Sequence, residues 1–180
     1  MVAGIRQGGI NDAEILEIGC GVGGLHLSLL KAGAAKATGF DISEKMIATA
    51  RALSVELGLE ERTQYWHGDF VAMHAQAPSV EVTVLDKVIC CYPNALELIS
   101  RSTAKTRRLY AVSYPRPSPF VRFGFRSLKI LLKLLRETFH PYYHEPEQIQ
   151  NWIVENGFEK IYEKTTTIWL IQVFQRKAQN

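Results

Sequence analysis

A glycine-rich stretch near the N-terminus constrains the fold of this chain more than any other segment. An apolar run of strand length ends at glycines on alternate positions, Gly19, Gly21 and Gly23, and an amphipathic segment from Leu25 to Leu30 follows directly. Glycine adopts backbone angles that other residues avoid, and the missing Cβ lets a ligand lie against the main chain. The stretch therefore predicts a strand, a tight turn and a helix, with a polar, planar ligand bound at the turn.

Short β-branched runs alternate with helical patterns from Ala13 onward, which is typical of a parallel sheet covered by helices. Too few residues separate the last two runs for a parallel crossover, so these two strands should form an antiparallel hairpin. We predict an α/β fold with a seven-stranded, mostly parallel sheet, an antiparallel last strand and helices on both faces. The predicted strands are 14–18, 36–41, 64–67, 80–84, 109–113 and two more within 159–175.

Residues that begin and end helices support this order. Ser43 can cap one helix, which Gly58 ends, and Asn94 opens another. Pro146 can occupy the first turn of a further helix, which Gly157 ends. Each predicted helix therefore lies between predicted strands.

Size and composition predict one globular domain spanning residues 1–180. The chain is 47% hydrophobic and 22% charged, and its net charge of +3 does not favour a nucleic-acid partner. Three cysteines do not form a secreted disulfide framework, so a reducing cytoplasm is the expected location. The N-terminus lacks a signal-peptide pattern, and no apolar run approaches the roughly 20 residues of a spanning helix.

The motif Glu17-x-Gly19-x-Gly21-x-Gly23 resembles the first motif of the class I S-adenosylmethionine-dependent methyltransferases, and the resemblance covers nearly the whole chain. In that family the turn wraps the methionine part of the cofactor. The same residues also satisfy Gly19-x-Gly21-x-x-Gly24, the dinucleotide fingerprint of nicotinamide-dependent oxidoreductases. Glycine spacing alone leaves both cofactors open, as well as a turn without a ligand.

Three acidic positions favour S-adenosylmethionine. Glu17 resembles the acidic position of the motif, where a carboxylate complements the cationic end of the cofactor. Asp41, after the second strand, can accept hydrogen bonds from both ribose hydroxyls, although loop aspartates also serve turn geometry. Asp69 and Phe70 resemble the adenine position, with an acid near the amino group and an apolar wall beside it.

The resemblance thus implies a Rossmann-like fold and S-adenosylmethionine as the cofactor. It implies cofactor contacts for Glu17, Gly19, Cys20, Gly21, Gly23, Asp41, Ile42, Asp69, Phe70 and Asp86.

The segment Leu85 to Pro93 is similar to ubiquinone-pathway and magnesium-protoporphyrin O-methyltransferases. Cys91 stands where those relatives carry a histidine, so their general-base assignment does not transfer. We take Cys91, Tyr92 and His140 as candidate catalytic residues. His140 or His144 could remove a proton, Tyr114 is a further candidate, and the thiols of Cys90 and Cys91 could hold a soft metal or act as an acceptor nucleophile. Burial of Cys90 and Cys91 as small apolar side chains is the favoured alternative, and no metal site is expected.

A helical insertion is predicted at about 115–144. Its segment 120–139 places leucines on one helical face and carries positive charges at Arg122, Arg126, Lys129, Lys133 and Arg136. A basic amphipathic helix can cover an apolar substrate, contact an anionic membrane or pack on its own sheet. A substrate lid is the favoured interpretation.

The sequence therefore predicts a methyltransferase that acts on a small, apolar acceptor by O- or N-methylation. A nicotinamide-dependent oxidoreductase and a catalytically silent methyltransferase-like domain are the alternatives. The acceptor and the oligomeric state stay open. Few residues precede the first strand, whereas the relatives carry N-terminal helices that close over the cofactor, so a start further upstream with such a lid stays open as well.

Overall fold

The computed structural model describes residues 1–134 and 141–178. Within these ranges seven strands form one sheet in the order β3-β2-β1-β4-β5-β7-β6. The strands are β1 (Glu14–Ile18), β2 (Lys36–Asp41), β3 (Thr63–His67), β4 (Val80–Asp86), β5 (Thr106–Pro115), β6 (Phe158–Thr165) and β7 (Trp169–Arg176). The α-helices are α1 (Val2–Gln7), α2 (Gly24–Lys31), α3 (Glu44–Glu56), α4 (Phe70–Met73), α5 (Ala95–Ala104), α6 (Pro119–Leu134) and α7 (Pro146–Glu155).

The sheet is parallel from β3 to β5, and β7 pairs antiparallel with both β5 and β6. The predicted terminal hairpin and the predicted fold class are confirmed. Within the described ranges, the sequence analysis missed the short helices α1 and α4, because neither is long enough to show a helical repeat.

The two faces of the sheet carry separate hydrophobic clusters because side chains alternate along each strand. Leu109 and Ala111 of β5 face a cluster that includes residues of α1 and α2. Tyr110 and Val112 face the other cluster, which includes residues of α4, α5 and α7. Helices therefore cover both faces of the sheet, and the ends of the strands remain for functional groups.

The register places the ends of the parallel strands side by side. Ile18 at the end of β1 pairs with Phe40 of β2, and Asp41 pairs with His67 at the end of β3. In an open parallel sheet, ligands bind outside the carboxyl ends of the strands, near the point where the strand order reverses. Here that point lies between β1 and β4, so the loops after these strands are where a ligand site is expected.

Candidate functional site

A cavity of about 240 Å³ opens at this edge of the sheet. Loops after four strands, β1 to β4, contribute to its walls, and Leu98 of α5 lies against it. The lining residues are Ile18, Gly19, Phe40, Asp41, Ile42, Gly68, Asp69, Phe70, Asp86, Lys87, Val88, Cys91, Tyr92 and Leu98. The structure therefore brings together most of the residues that the sequence singled out for cofactor binding, along with two of the three catalytic candidates.

The glycine turn between β1 and α2 is left-handed at three positions, with φ of +67° at Gly19, +53° at Gly21 and +84° at Gly23. A Cβ on Gly19 would lie 2.4 Å from Cγ2 of Val88, so the β4 loop packs directly on the turn. A Cβ on Gly21 would have no heavy atom within 4 Å. Gly21 thus presents bare main chain to open space, as a cofactor that lies against the turn requires.

Asp41 ties this turn to the end of β2. Its Oδ2 accepts a hydrogen bond from the backbone N–H of Gly21 at 2.8 Å, and Oδ1 accepts one from the N–H of Ser43 at 2.8 Å. Ile42, beside it, lines the cavity and is 76% exposed. A carboxylate has about four acceptor positions, so Asp41 keeps capacity for ribose hydroxyls.

Asp69 caps α4 and faces the cavity. Its Oδ1 accepts a hydrogen bond from the N–H of Val71 at 2.9 Å, and the Tyr92 hydroxyl donates to the same carboxylate. Phe70 is buried and meets Phe40 edge to face, with ring centroids 5.5 Å apart. The acid and the apolar wall predicted for an adenine site are therefore adjacent in space.

Glu17 lies elsewhere. It does not line the cavity. Its side chain is hydrogen-bonded to α2, with Oε2 2.6 Å from Nδ1 of His26 and 3.2 Å from the backbone N of His26. Nε2 of His26 in turn lies 2.9 Å from the hydroxyl of Tyr65 in β3. Burial raises the pKa of Glu17, against the lowering effect of the hydrogen bond with His26. Direct contact between Glu17 and a cofactor stays a prediction.

The sequence analysis missed His26 and Tyr65. His26 is fully buried on α2, between two leucines of an apolar helical run. A histidine inside such a run is the one sequence signal that could have indicated a buried polar partner for Glu17.

Cys20 does not line the cavity either. It is buried with Ile47, Ala50 and Tyr65, and burial raises the pKa of its thiol. Its backbone N–H donates to the carbonyl of Phe40 at 2.9 Å. The Cys20 side chain therefore packs between the turn and α3, and a contact with the cofactor stays a prediction for its main chain.

Asp86 ends β4 and lines the cavity. It accepts a hydrogen bond from the hydroxyl of Ser113, and its carboxylate is 3.6 Å from Nζ of Lys87. Lys87 has φ of +61°, an uncommon conformation for a residue with a side chain. The sharp turn at Lys87 directs the following residues, Val88 to Tyr92, back over the cavity.

Cys90 and Cys91 end this loop in a 3₁₀ turn, Ile89–Cys91, with their sulfur atoms 3.8 Å apart. Cys90 is buried, whereas Cys91 is exposed and lines the cavity. The hydrogen bond between the thiols lowers the pKa of Cys91 to about 7, against the effect of burial, and it raises the pKa of Cys90. The expected burial therefore applies to Cys90 and is wrong for Cys91.

The segment after α6 packs on the same loop. The N–H of Tyr142 donates to the carbonyl of Cys90 at 2.8 Å, and Nε2 of His144 lies 2.9 Å from the carbonyl oxygen of Tyr92. His140 lies outside the described residues, so its predicted catalytic role stays a prediction.

Two features are absent from the part of the chain that the structure describes, a metal site and a membrane-spanning helix. Among residues 1–134 and 141–178, no group of three or more His, Cys, Asp or Glu side chains could hold a metal ion. In the same ranges, no helix is both long enough and apolar enough to cross a membrane.

The groups around this cavity fit S-adenosylmethionine. The bare turn at Gly21 can receive the methionine part, Asp41 the ribose hydroxyls and Asp69 with Phe70 the adenine. These three regions follow β1, β2 and β3 in turn. Asp41, Asp69 and Phe70 line one cavity, and Gly21 is joined to it by its hydrogen bond with Asp41.

Comparisons with known proteins also indicate a methyltransferase. A family model described as a methyltransferase domain matches residues 15–108. A ubiquinone biosynthesis O-methyltransferase from Aromatoleum aromaticum is 26% identical over 162 residues, which cover 86% of this chain and 67% of that protein.

Solved structures extend the likeness to the whole chain. Magnesium protoporphyrin IX methyltransferase from Synechocystis PCC 6803, with bound S-adenosylhomocysteine, is 25% identical with a TM-score of 0.78, over 98% of this chain and 80% of that one. The [4+2]-cyclase SpnF is 12% identical with a TM-score of 0.77, over 99% of this chain and 81% of that one. This likeness shows the shared fold alone.

Proposed function

The chain belongs to the S-adenosylmethionine-dependent methyltransferases, and from that premise we propose that its acceptor is a small, largely apolar molecule, methylated on oxygen or nitrogen. The observation that carries the proposal is the largely apolar lining of the cavity. Ile18, Phe40, Phe70, Val88, Cys91 and Leu98 line it beside the carboxylates of Asp41, Asp69 and Asp86. An apolar wall with few polar groups suits a small organic ligand.

The Aromatoleum relative is named for ubiquinone biosynthesis, and the Synechocystis protein for magnesium protoporphyrin IX. Both names refer to small molecules, which supports the same class of acceptor for this chain.

The bound cofactor supplies an electrophilic methyl group on a sulfonium. The task of the protein is to hold the acceptor atom in line with it, since orientation alone can contribute about 7–11 kcal/mol to such a step. We assign the cofactor contacts to the Gly19–Gly23 turn, Asp41, Ile42, Asp69 and Phe70. We assign the acceptor side to Asp86, Cys91 and Leu98.

Cys91 is the cavity residue best suited to accept a proton from a hydroxyl or amine acceptor. Its pKa of about 7, which results from the hydrogen bond with Cys90, makes much of it thiolate at neutral pH. A general base works best when its pKa lies near the operating pH. Sγ of Cys91 would then take the acceptor proton as the methyl group transfers.

The test is turnover with labelled methyl donor over a panel of phenols, carboxylic acids and amines of graded apolar size. We expect incorporation with apolar members, and a drop in kcat in Cys91→Ser that is largest for acceptors that must lose a proton. Leu96→Ser, at a half-exposed position on α5 outside the cavity, is the matched control. Incorporation into none of the panel would favour the silent binding domain.

We further propose that α6 brings the protein to apolar acceptors at an anionic membrane surface. At the start of α6, Phe120 and Phe123 are 89% and 73% exposed. Arg122, between them, forms an ion pair with Glu145, in which the guanidinium nitrogen lies 3.0 Å from the carboxylate oxygen. The guanidinium carbon of Arg122 also lies 5.4 Å from the ring centre of Tyr143. Exposed aromatic residues beside basic ones are typical of helices that lie in the membrane interface.

A further inference from the structure

Tyr92 reaches from the loop after β4 to Asp69 after β3. Its hydroxyl oxygen lies 2.9 Å from Oδ2 and 3.1 Å from Oδ1 of Asp69, although β1 and β2 separate the two strands in the sheet. A hydrogen bond to a carboxylate is charge-assisted and stronger than one between neutral groups. The contact therefore fixes the orientation of the Asp69 carboxylate across the cavity.

Asp69 keeps room for one more donor. The backbone N–H of Val71 takes one acceptor position at Oδ1, and the single proton of Tyr92 can use one more. Since a carboxylate offers about four such positions, an amino group can still bind. The Tyr92 hydroxyl and an adenine amino group can therefore share this carboxylate.

Tyr92 is itself held at its backbone. Its carbonyl oxygen lies 2.9 Å from Nε2 of His144, and the neighbouring carbonyl of Cys90 accepts from Tyr142 at 2.8 Å. The Tyr92 ring packs against the hydrophobic cluster that contains α5 and α7. Because His144 holds its main chain and the hydrophobic cluster holds its ring, the Tyr92 side chain has little freedom to move away from Asp69.

The phenol is a donor here and a poor base. Burial raises the pKa of Tyr92, and the bond to Asp69 raises it further. The hydroxyl therefore keeps its proton at neutral pH, which argues against the predicted role of Tyr92 in catalysis.

We propose that Tyr92 is a positioning residue, whose hydroxyl holds the Asp69 carboxylate in the orientation that receives the 6-amino group of the cofactor's adenine. The inference rests on the proposed function, since it needs the adenine to lie at Asp69. It adds a residue from the loop after β4 to the recognition of the cofactor base.

The test compares two ligands and three proteins by calorimetry. The ligands are S-adenosylhomocysteine and its 6-deamino analogue, which carries hydrogen in place of the amino group. The proteins are the wild type, Tyr92→Phe and the control Tyr162→Phe, whose ring lies on β6 away from the cavity. Thermal unfolding of all three checks that they are folded.

We expect the wild type to prefer the amino ligand by roughly tenfold or more, the usual effect of a hydrogen bond to a charged group. Tyr92→Phe should reduce that preference to about threefold or less, because the carboxylate loses its orientation, while Tyr162→Phe should keep it. If Tyr92 had a purely structural role, Tyr92→Phe would lower the affinity for both ligands by the same factor.

Three results would overturn the inference. Tyr92→Phe could keep the full preference, or it could bind S-adenosylhomocysteine more tightly, which would mean that the hydroxyl competes with the amino group. The wild type could also bind both ligands equally, which leaves the cofactor site standing without this contact. Binding of neither ligand by the wild type would instead refute the proposed function itself.

Discussion

At the scale of single residues, Gly19 and Gly21 share a left-handed backbone but differ in their surroundings. A Cβ on Gly19 would meet Val88 at 2.4 Å, whereas a Cβ on Gly21 would meet no heavy atom within 4 Å. We expect Gly21→Ala to cost about 1–2 kcal/mol of stability from its backbone angle alone, but to weaken S-adenosylhomocysteine binding strongly.

Gly19→Ala is the comparison, since it adds a steric clash to a similar backbone cost. It should lose clearly more stability than Gly21→Ala in urea unfolding. Equal losses of stability in the two variants would contradict the close packing of Val88 on Gly19. Unchanged ligand affinity in Gly21→Ala would contradict the assignment of Gly21 to the cofactor.

Cys91 provides a pH-dependent prediction. Because the hydrogen bond with Cys90 lowers the pKa of Cys91 to about 7, the thiolate fraction should rise as pH increases through that value. Iodoacetamide labelling of Cys91, followed by mass spectrometry, should reach half its maximal rate near pH 7. Cys90→Ala removes the partner and should move the midpoint up toward the ordinary thiol value of about 8.5. A midpoint that stays the same in Cys90→Ala would show that Cys90 is not the cause.

The sequence located single residues well where a loop directly follows a strand. Asp41, Asp69 and Asp86 all line the cavity, because the end of a strand fixes where the next residues lie. The sequence did not indicate the hydrogen bond between Glu17 and His26, since the strand alternation that directs Glu17 toward α2 depends on which face each helix covers.

At the scale of secondary structure elements, a buried polar chain links β1, α2 and β3. Glu17, His26 and Tyr65 form consecutive hydrogen bonds with distances of 2.6 Å and 2.9 Å. We expect His26→Leu to destabilise the protein by roughly 3–5 kcal/mol, because it leaves the buried carboxyl of Glu17 without its side-chain partner and with only the backbone N–H of residue 26. Urea unfolding measures this change.

The double variant Glu17→Leu/His26→Leu removes both partners and should lose less stability than the sum of the two single variants. Additive losses would mean that the two side chains do not act as a pair. A loss of under about 1 kcal/mol in His26→Leu would contradict the importance of the link.

The amphipathic helix α6 gives a prediction for membrane contact. Phe120→Ser/Phe123→Ser should reduce sedimentation with anionic vesicles several-fold, because it removes two exposed aromatic rings, and neutral vesicles should bind little of either protein. Val55→Ser, at an exposed apolar position on α3, is the matched control. Equal sedimentation of wild type and the double variant would leave α6 as a cover for the cavity or a packed helix.

Element boundaries show what sequence patterns can and cannot define. β1 and β2 have the predicted bounds, and Ser43 caps α3 as expected, with its side chain accepting from Met46. β5 extends from Thr106 to Pro115, well beyond the predicted 109–113. Its ends lack the β-branched pattern and become strand through pairing with β4 and β7, which local sequence does not encode.

At the scale of the whole molecule, the fold places the residues that we assign to the cofactor and to the acceptor at the carboxyl ends of neighbouring strands. β4 and β1 are adjacent, so the loop that carries Asp86 to Tyr92 packs on the glycine turn through Val88. The same loop contacts Asp69 on one side and the segment after α6 on the other. The residues that we assign to the cofactor and those that we assign to the acceptor are therefore in contact through this loop.

A calorimetric titration of the wild-type chain with S-adenosylhomocysteine tests directly whether this cavity holds the methyl donor. We expect one saturable site per chain, no binding of NAD⁺ or NADP⁺, and a loss of at least about tenfold in affinity in Asp41→Ala, as for a charged hydrogen-bond partner. No binding of S-adenosylhomocysteine by the folded wild type, or equal affinity in Asp41→Ala, would contradict the claim that this cavity holds the methyl donor.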